Sequence, residues 1–206
     1  SLIETGGNVN SRVKLILLLL ICMAVWPAGS RQQPEEETMK ETAIFDFSRT
    51  DNSDNWIIIN DTVMGGVSDS EFIMEGDSTA VFRGTVSLEN NGGFASVRTS
   101  RDNYDLTEYD GISLMVRSDG KNYYFRLETN NSWRGVSYQS PFETTAGKWI
   151  AVRIPFQEFA ASFRGRKLRE APELNPGRIG SFGILISDSQ EGPFRLAIDR
   201  ISAYSK

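Results

Sequence analysis

Residues 60–68 contain the most distinctive combination of side chains in the sequence. They read Asn-Asp-Thr-Val-Met-Gly-Gly-Val-Ser and directly follow the apolar run at 56–59. Adjacent glycines accept positive φ angles and let other atoms approach the backbone, so the pattern predicts a tight turn. Such a turn can present backbone N–H groups and polar side chains to a ligand. In the structural alternative, Asp61 accepts hydrogen bonds from neighbouring backbone N–H groups, while Met64 fills a gap in the core.

Arginines provide a second candidate chemistry. Four of them lie at outward positions of predicted strands and would form one basic stripe if those strands were neighbours. Such a stripe suits carboxylates, sugars or phosphates; the alternative is a solvated face with acidic partners such as Glu128. Residues 163–169 form a basic loop that can dock a partner. The candidate binding residues of the turn, stripe and loop are Asp61, Met64, Gly65, Gly66, Ser68, Arg98, Arg117, Arg126, Arg153, Arg164 and Arg166.

Aromatic side chains offer a third chemistry, because their faces stack against sugar rings. Trp133 is the aromatic candidate binding residue, since it lies among asparagine, serine and arginine residues in a loop-like context. We expect Trp56 and Trp149 to pack in the core instead.

Paired carboxylates are the remaining route to catalysis. Asp105 with Asp110, or Asp188 with Glu191, could flank a glycosidic bond at about 5–9 Å, or could bind Ca²⁺. Nothing in the sequence distinguishes either pair, and no EF-hand pattern is present. We therefore expect no enzyme activity, no catalytic or metal-binding residue and no cofactor; a structural Ca²⁺ is conceivable but has no support.

Composition excludes several function classes. The 206 residues include no histidine and a single cysteine, Cys22. Serine–histidine and cysteine–histidine catalysis, histidine-bound metals and internal disulfides are therefore excluded. The formal net charge of −5 argues against nonspecific binding to nucleic acid or to anionic membranes.

Residues 1–30 have the pattern of a secretory signal peptide. Arg12 and Lys14 precede an apolar run at 15–26, which is shorter than the ~20 residues that span a bilayer. We expect cleavage after Ser30 and an exported protein, periplasmic or secreted, which contacts a membrane only if the signal stays uncleaved. Residues 31–42 are polar and predict a flexible lead-in.

The rest of the chain has the pattern of an all-β domain. Segments rich in Val, Ile, Phe and Tyr alternate with turn residues, and no stretch keeps a long helical period. We expect one jelly-roll β-sandwich over residues 43–204. The predicted strands are 43–47, 55–59, 79–88, 93–99, 111–117, 122–129, 148–154, 179–187 and 193–204.

The order of several motifs carries a family resemblance. The turn at 61–68 is followed by Gly-Gly-Phe-Ala-Ser-Val-Arg at 92–98, by Asp-Leu-Thr-Glu-Tyr-Asp-Gly-Ile at 105–112 and by Phe-Arg-Gly-Arg at 163–166. Across residues 43–204 the sequence resembles the complex I intermediate-associated protein 30 family. The resemblance implies a galactose-binding-like jelly roll without enzymatic activity. It also implies a chaperone-like role in binding assembly intermediates of respiratory complex I, on the matrix side in mitochondrial members.

The functional hypothesis is therefore a non-catalytic binding module whose partner is another protein. The alternative is an exported carbohydrate-binding module that uses exposed aromatic side chains. A third hypothesis, a carboxylate-based glycosidase, requires an acid pair that the sequence does not single out.

Overall fold

The computed structural model describes residues 39–49, 55–76, 78–130 and 135–206. In these ranges the chain is built from β-strands and short 3-10 turns, and none of the described segments is a helix long and apolar enough to cross a bilayer. The predicted signal peptide and residues 31–38 lie outside the described residues. The strands are β1 (Lys40–Asp46), β2 (Trp56–Ile58), β3 (Asp69–Glu75), β4 (Thr79–Val86), β5 (Ala95–Thr99), β6 (Gly111–Ser118), β7 (Tyr123–Thr129), β8 (Ser137–Phe142), β9 (Trp149–Pro155), β10 (Ala160–Phe163), β11 (Arg166–Lys167), β12 (Ile179–Ile186) and β13 (Gly192–Ser205).

These strands form two antiparallel sheets. The six-stranded sheet has the order β3-β4-β13-β6-β9, and β1 also pairs with β13. The seven-stranded sheet has the order β11-β10-β8-β7-β12-β5-β2. Most neighbours are distant in sequence, as in a jelly roll rather than a meander of hairpins. The predicted all-β jelly-roll sandwich is confirmed.

Alternation along the strands determines which side chains fill the space between the sheets. In β7, Tyr123, Phe125 and Leu127 are fully buried, as their period-two spacing predicts. The intervening residues, Tyr124 and Arg126 among them, lie on the outer face of the same sheet. One strand therefore supplies the core with one set of side chains and the outer surface with the other.

Aromatic rings dominate the centre of the core. Phe182 of β12 is fully buried and packs edge-to-face against Phe45, with 5.6 Å between ring centroids, and against Tyr104 at 4.9 Å. Trp56 is also buried, as expected, and stacks on Phe72 at 4.7 Å. Since aromatic pairs add to the free energy gained from burial alone, this cluster fixes the two sheets together.

Several sequence-based expectations need correction. The segment 163–169, predicted as a basic loop, includes the end of β10 and the whole of β11, and the prediction also missed β3 and β8. β1 begins at Lys40, so the predicted lead-in of 31–42 overlaps the first strand by three residues. Trp149 is 41% exposed on the outer face of the six-stranded sheet and does not pack in the core.

We predict that Phe182→Ala lowers the free energy of unfolding by about 3–5 kcal/mol, because it leaves a cavity between the sheets. The matched control is Phe163→Ala at an exposed position, which should cost less than about 1 kcal/mol. Urea unfolding of the purified chain measures both values. Equal losses for the two variants would contradict the placement of the core.

Candidate functional site

The turn at 61–68 is organised around one buried carboxylate. Asp61 is fully buried and accepts hydrogen bonds from Ser68 N–H at 2.9 Å and Ser68 Oγ at 2.5 Å. It also accepts bonds from the N–H groups of Gly93 at 2.7 Å and Phe94 at 3.3 Å. The side chain therefore connects the turn to the second glycine motif, at 92–98.

Close packing around Asp61 explains the glycines of both motifs. A Cβ on Gly66 would lie 2.4 Å from Asp61 Cγ, and one on Gly92 would lie 2.5 Å from Asp61 Oδ2. Gly65 has a φ of +93°, a conformation that L side chains rarely adopt. Asp61, Gly65, Gly66 and Ser68 therefore hold the shape of the turn, as the structural alternative proposed.

The hydrogen bonds to Asp61 also affect its ionisation. Burial alone disfavours the charged form, but the bonds from Ser68, Gly93 and Phe94 outweigh it and hold the pKa of Asp61 below its ordinary value of 3.8. The carboxylate is charged at neutral pH and its acceptor positions are engaged by the protein itself. It is positioned to support the loops rather than to receive a ligand.

The apolar residues of the turn, unlike Asp61, are exposed to solvent. Val63 and Met64 are 69% and 64% exposed, so the expectation that Met64 fills a core gap is wrong. Both residues line a cleft on the outer face of the seven-stranded sheet, with a volume of about 770 Å³. The buried part of the turn thus holds its exposed part at the edge of this cleft.

The opposite rim of the cleft is the turn between β10 and β11. Arg164 and Gly165 both have positive φ angles, 49° and 75°, as in the tight turns that join hairpin strands. The Arg164 guanidinium lies over the Phe163 ring, 5.3 Å from its centroid. These three residues line the cleft, whereas Arg166 lies exposed in β11.

The floor of the cleft is formed by outward-facing residues of four neighbouring strands. Since Arg98, Gly183, Arg126 and Gln139 are aligned across β5, β12, β7 and β8, they form one row. Glu128 and Ser181 form the adjacent pair. Tyr124 and Asp188 lie at one end, where Tyr124 donates a hydrogen bond of 2.7 Å to the Asp188 carboxylate.

Charges on the floor are unevenly paired. Glu128 accepts from Arg98 at 3.1 Å and from Arg101 at 3.0 Å, so two arginines share one carboxylate. Arg126 donates to Ser137 Oγ at 2.7 Å, but no carboxylate oxygen of the described residues lies within 4.0 Å of its guanidinium. Burial lowers the pKa of Arg126; Glu128 opposes this and Arg98 adds to it.

Unpartnered polar atoms are concentrated in the cleft. Of the five buried side-chain atoms without a hydrogen-bond partner in the described chain, three belong to cleft residues: Arg126 Nε, Gln139 Oε1 and Ser181 Oγ. Each such atom costs about 1–3 kcal/mol of stability. Native proteins keep few such atoms, so three of them on one surface require a specific explanation.

The predicted arginine stripe is wrong, because its members are divided between the two sheets. Arg98 and Arg126 belong to the seven-stranded sheet, whereas Arg117 and Arg153 belong to the six-stranded one. Arg117 lies over the Trp149 ring at 5.1 Å, and Arg153 pairs with Glu41 at 3.3 Å. Alternation correctly placed each arginine outside the core but cannot tell which sheet its strand joins. Trp133 lies outside the described residues.

Other parts of the cleft were missed at the sequence level. Tyr124 is detectable from the same alternation that revealed Arg126 in β7, whereas Glu128 was correctly predicted as an acidic partner of the arginines. Gln139 was missed because β8 was not recognised, and Ser181 carries no distinguishing signal in its sequence.

Carboxylates of the acid pairs considered for catalysis accept hydrogen bonds from other groups of the protein. Asp105 accepts two bonds from Thr107, and Asp110 accepts from the backbone N–H of Lys206 at 2.8 Å. Within residues 39–49, 55–76, 78–130 and 135–206, no three Asp or Glu side chains are grouped closely enough to hold a metal ion. These described ranges therefore offer no candidate site for a structural Ca²⁺.

The two-sheet architecture places the chain in the class of jelly-roll β-sandwiches, which includes several solved structures. The family 11 carbohydrate-binding module from Clostridium thermocellum, in complex with a mixed-linked tetrasaccharide, superimposes with a TM-score of 0.61 at 16% identity, covering 80% of this chain and 95% of that one. A domain of an agarase superimposes with a TM-score of 0.55 at 12% identity, covering 81% of this chain and 24% of the agarase. At such identities the likeness establishes the fold alone.

Sequence comparison identifies the family. Residues 45–198 match the family model described as Complex I intermediate-associated protein 30, and the chain belongs to this family. A Drosophila melanogaster protein of that name, labelled mitochondrial, is 25% identical over 87% of this chain and 70% of its own length. The Mus musculus protein is 29% identical over 86% of this chain and 61% of its own length. An uncharacterised Schizosaccharomyces pombe protein is 34% identical over 72% of this chain and 77% of its own length.

These relatives correct the predicted localisation. The Drosophila melanogaster, Mus musculus and Neurospora crassa proteins are all named as mitochondrial, so the expectation of an exported, periplasmic or secreted protein is wrong. That expectation depended on residues 1–30, which lie outside the described residues. Basic residues before a short apolar run define the charge and hydropathy of a segment, but they do not determine which targeting receptor recognises it.

We predict that Asp61→Asn lowers the free energy of unfolding by about 3 kcal/mol. The amide places an NH₂ group where backbone N–H donors now find a carboxylate oxygen, leaving buried donors unpaired. The control is Asp69→Asn, at an exposed position of β3, which should change stability by less than about 0.5 kcal/mol. Thermal and urea unfolding measure both variants, and an unchanged Asp61→Asn protein would refute the supporting role of Asp61.

We also predict that the effect of Asp61→Asn on the free energy of unfolding depends on pH. Because the pKa of Asp61 is lower in the folded state, its stabilising contribution is complete above the ordinary value of 3.8 and is lost as the pH falls through the folded pKa. The stability difference between the wild-type chain and Asp61→Asn should therefore be large at about pH 6 and smaller at about pH 3. Urea titrations at both pH values measure it; a constant difference would exclude a charged Asp61.

Proposed function

We propose that this chain is a non-enzymatic binding module that takes part in complex I assembly by holding a protein partner in the cleft of the seven-stranded sheet. The family carries this proposal, since the relatives from fly and mouse are named as complex I intermediate-associated proteins. The cleft supplies a surface suited to that role. By the same comparison, we propose a mitochondrial location.

The character of the cleft supports binding of a polypeptide. Its rims carry exposed apolar side chains, Val63 and Met64 on one side and Phe163 on the other. Methionine and aromatic side chains adapt to the apolar residues of a partner, and they are enriched in protein interfaces. Between the rims, the floor offers arginine, glutamine and serine side chains for hydrogen bonds.

The acids of the cleft support a role without catalysis. Glu128 is held between two arginines, and Asp188 accepts a hydrogen bond from Tyr124. With no histidine in the sequence, we propose binding alone, without a cofactor.

We propose different roles for the candidate residues. Met64, Arg98, Arg126 and Arg164 form the binding surface. The carboxylate of Asp61, with Gly65, Gly66 and Ser68, fixes the conformation of the turn that carries Met64. Arg117 and Arg153 lie on the other sheet and take no part in the cleft.

We predict that the double variant Met64→Ser, Arg164→Ala weakens association with complex I intermediates at least ten-fold, with a melting temperature within about 2 °C of wild type. Both side chains are exposed, so their loss removes contacts with the partner rather than core packing. The control is Arg83→Ala on the six-stranded sheet, where Arg83 pairs with the exposed Glu71. The tagged chain is expressed in mitochondria of its source organism, and co-migration with complex I subunits is measured on native gels.

Normal co-migration of the double variant would exclude the cleft rims as the binding surface. A carbohydrate is the second candidate occupant, because the aromatic side chains of Tyr124 and Phe163 line the cleft beside the polar floor. Purified wild-type chain is therefore also heated with oligosaccharides. A dose-dependent rise in melting temperature, together with no association with complex I subunits, would favour the carbohydrate over the protein partner.

A further inference from the structure

The centre of the cleft floor contains a position without a side chain. Gly183 lies in the cross-strand row between Arg98 and Arg126. A Cβ on Gly183 would lie 3.1 Å from the carbonyl oxygen of Val97 and 3.4 Å from the Cβ of Arg98. Even a methyl group would be crowded there, so glycine keeps the cleft floor at the level of the β12 backbone. We call this low point of the floor, between the side chains of Arg98 and Arg126, the hollow.

Positive charge exceeds negative charge around the hollow. Arg98 and Arg101 share the single carboxylate of Glu128, and Arg126 has no ion-pair partner in the described ranges. The whole chain has a formal net charge of −5, so this surplus is local. Because charges in a partly buried cleft are weakly screened, the hollow is complementary to an anionic group.

The unpartnered atoms of the floor indicate what kind of anion fits. In the described structure, Arg126 Nε–H has no acceptor and Gln139 Oε1 has no donor. A free carboxylate or phosphate ion brings acceptors but no donor at the same point. An extended peptide brings both, since an acidic side chain accepts from arginine while a backbone N–H donates to the glutamine oxygen.

We propose that the hollow above Gly183 binds the carboxylate of an acidic side chain on an extended segment of the protein partner, with Arg126 and Arg98 as its donors. This assignment rests on the proposed function, because it takes the occupant to be a protein. Arg126 Nε and Gln139 Oε1 are buried in this structure, so the proposal requires both long side chains to rotate toward the cleft when the segment binds. Apolar residues to each side of the acid then contact Met64 and Phe163 on the rims.

The direct test compares two fluorescein-labelled eight-residue peptides by fluorescence anisotropy with the purified full chain. One has glutamate near its centre and leucines on both sides; the other has glutamine in place of glutamate. We expect the glutamate peptide to bind at least ten-fold more tightly, because only it offers a charged acceptor to arginine. Arg126→Met should abolish this discrimination, whereas Arg83→Met on the other sheet should preserve it.

Stability of the same variant separates binding from a structural role. A buried arginine without an ion-pair partner is maintained at a cost, so an apolar side chain of similar length should leave the melting temperature unchanged or raise it. A large fall in the melting temperature of Arg126→Met would overturn the proposal. Equal affinities for the two peptides, or no binding of either, would overturn it as well.

The nature of the ligand is tested with two further probes. Inorganic phosphate and oligogalacturonate are added as competitors of the labelled glutamate peptide. Weak competition, at millimolar concentrations, is expected from either anion. Arg126-dependent binding of oligogalacturonate that is tighter than that of the glutamate peptide would assign the hollow to an acidic saccharide and overturn the peptide assignment.

Association with complex I intermediates on native gels is scored separately. If Arg126→Met associates normally while losing the glutamate preference, the proposed function stands and the partner does not use the hollow, which overturns this inference. If wild-type chain binds the glutamate peptide selectively but does not associate with complex I subunits, the proposed function fails while the carboxylate site stands.

Discussion

The carboxylate of Asp61 is the interaction on which the geometry of the cleft depends. It accepts hydrogen bonds from Ser68 within its own turn and from Gly93 and Phe94 in a segment about thirty residues later. A buried charge is stable only when such bonds replace its hydration. Because these bonds join two loops through one carboxylate, neither loop can move without breaking hydrogen bonds to Asp61. The exposed Val63 and Met64 are consequently presented on a fixed support at the edge of the seven-stranded sheet.

The two faces of that sheet contribute differently to stability. Its inner face contributes Phe125, Leu127 and Phe182 to a closely packed aromatic core, which provides most of the free energy of folding. Within the described residues, its outer face retains three buried polar atoms without a hydrogen-bond partner, one of them on Arg126, and these lower stability. A well-packed core tolerates such a cost, and proteins commonly accept it where a surface must bind another molecule.

The comparisons also illustrate that fold and function are separate properties. Carbohydrate-binding modules share the two-sheet architecture at 16% identity, whereas the relatives that share sequence motifs are named for complex I. What distinguishes family members is therefore the surface built on the sandwich. In this chain the cleft combines apolar rims with a floor that carries two arginines, and the proposed binding of a protein partner rests on this combination.

The sequence by itself determined the fold class, the family, the inward and outward sides of β6 and β7, and the tight turn around Asp61, because alternation, glycine conformation and motif order are local properties. It did not reveal β8, whose Ser-Tyr-Gln-Ser-Pro-Phe sequence resembles a turn until β7 and β10 pair with it. Only the tertiary structure separated Arg98 and Arg126 from Arg117 and Arg153, and only it placed Gln139 and Ser181 on the cleft floor. Sheet membership and register arise from pairing between residues far apart in the chain, and no local pattern encodes that pairing.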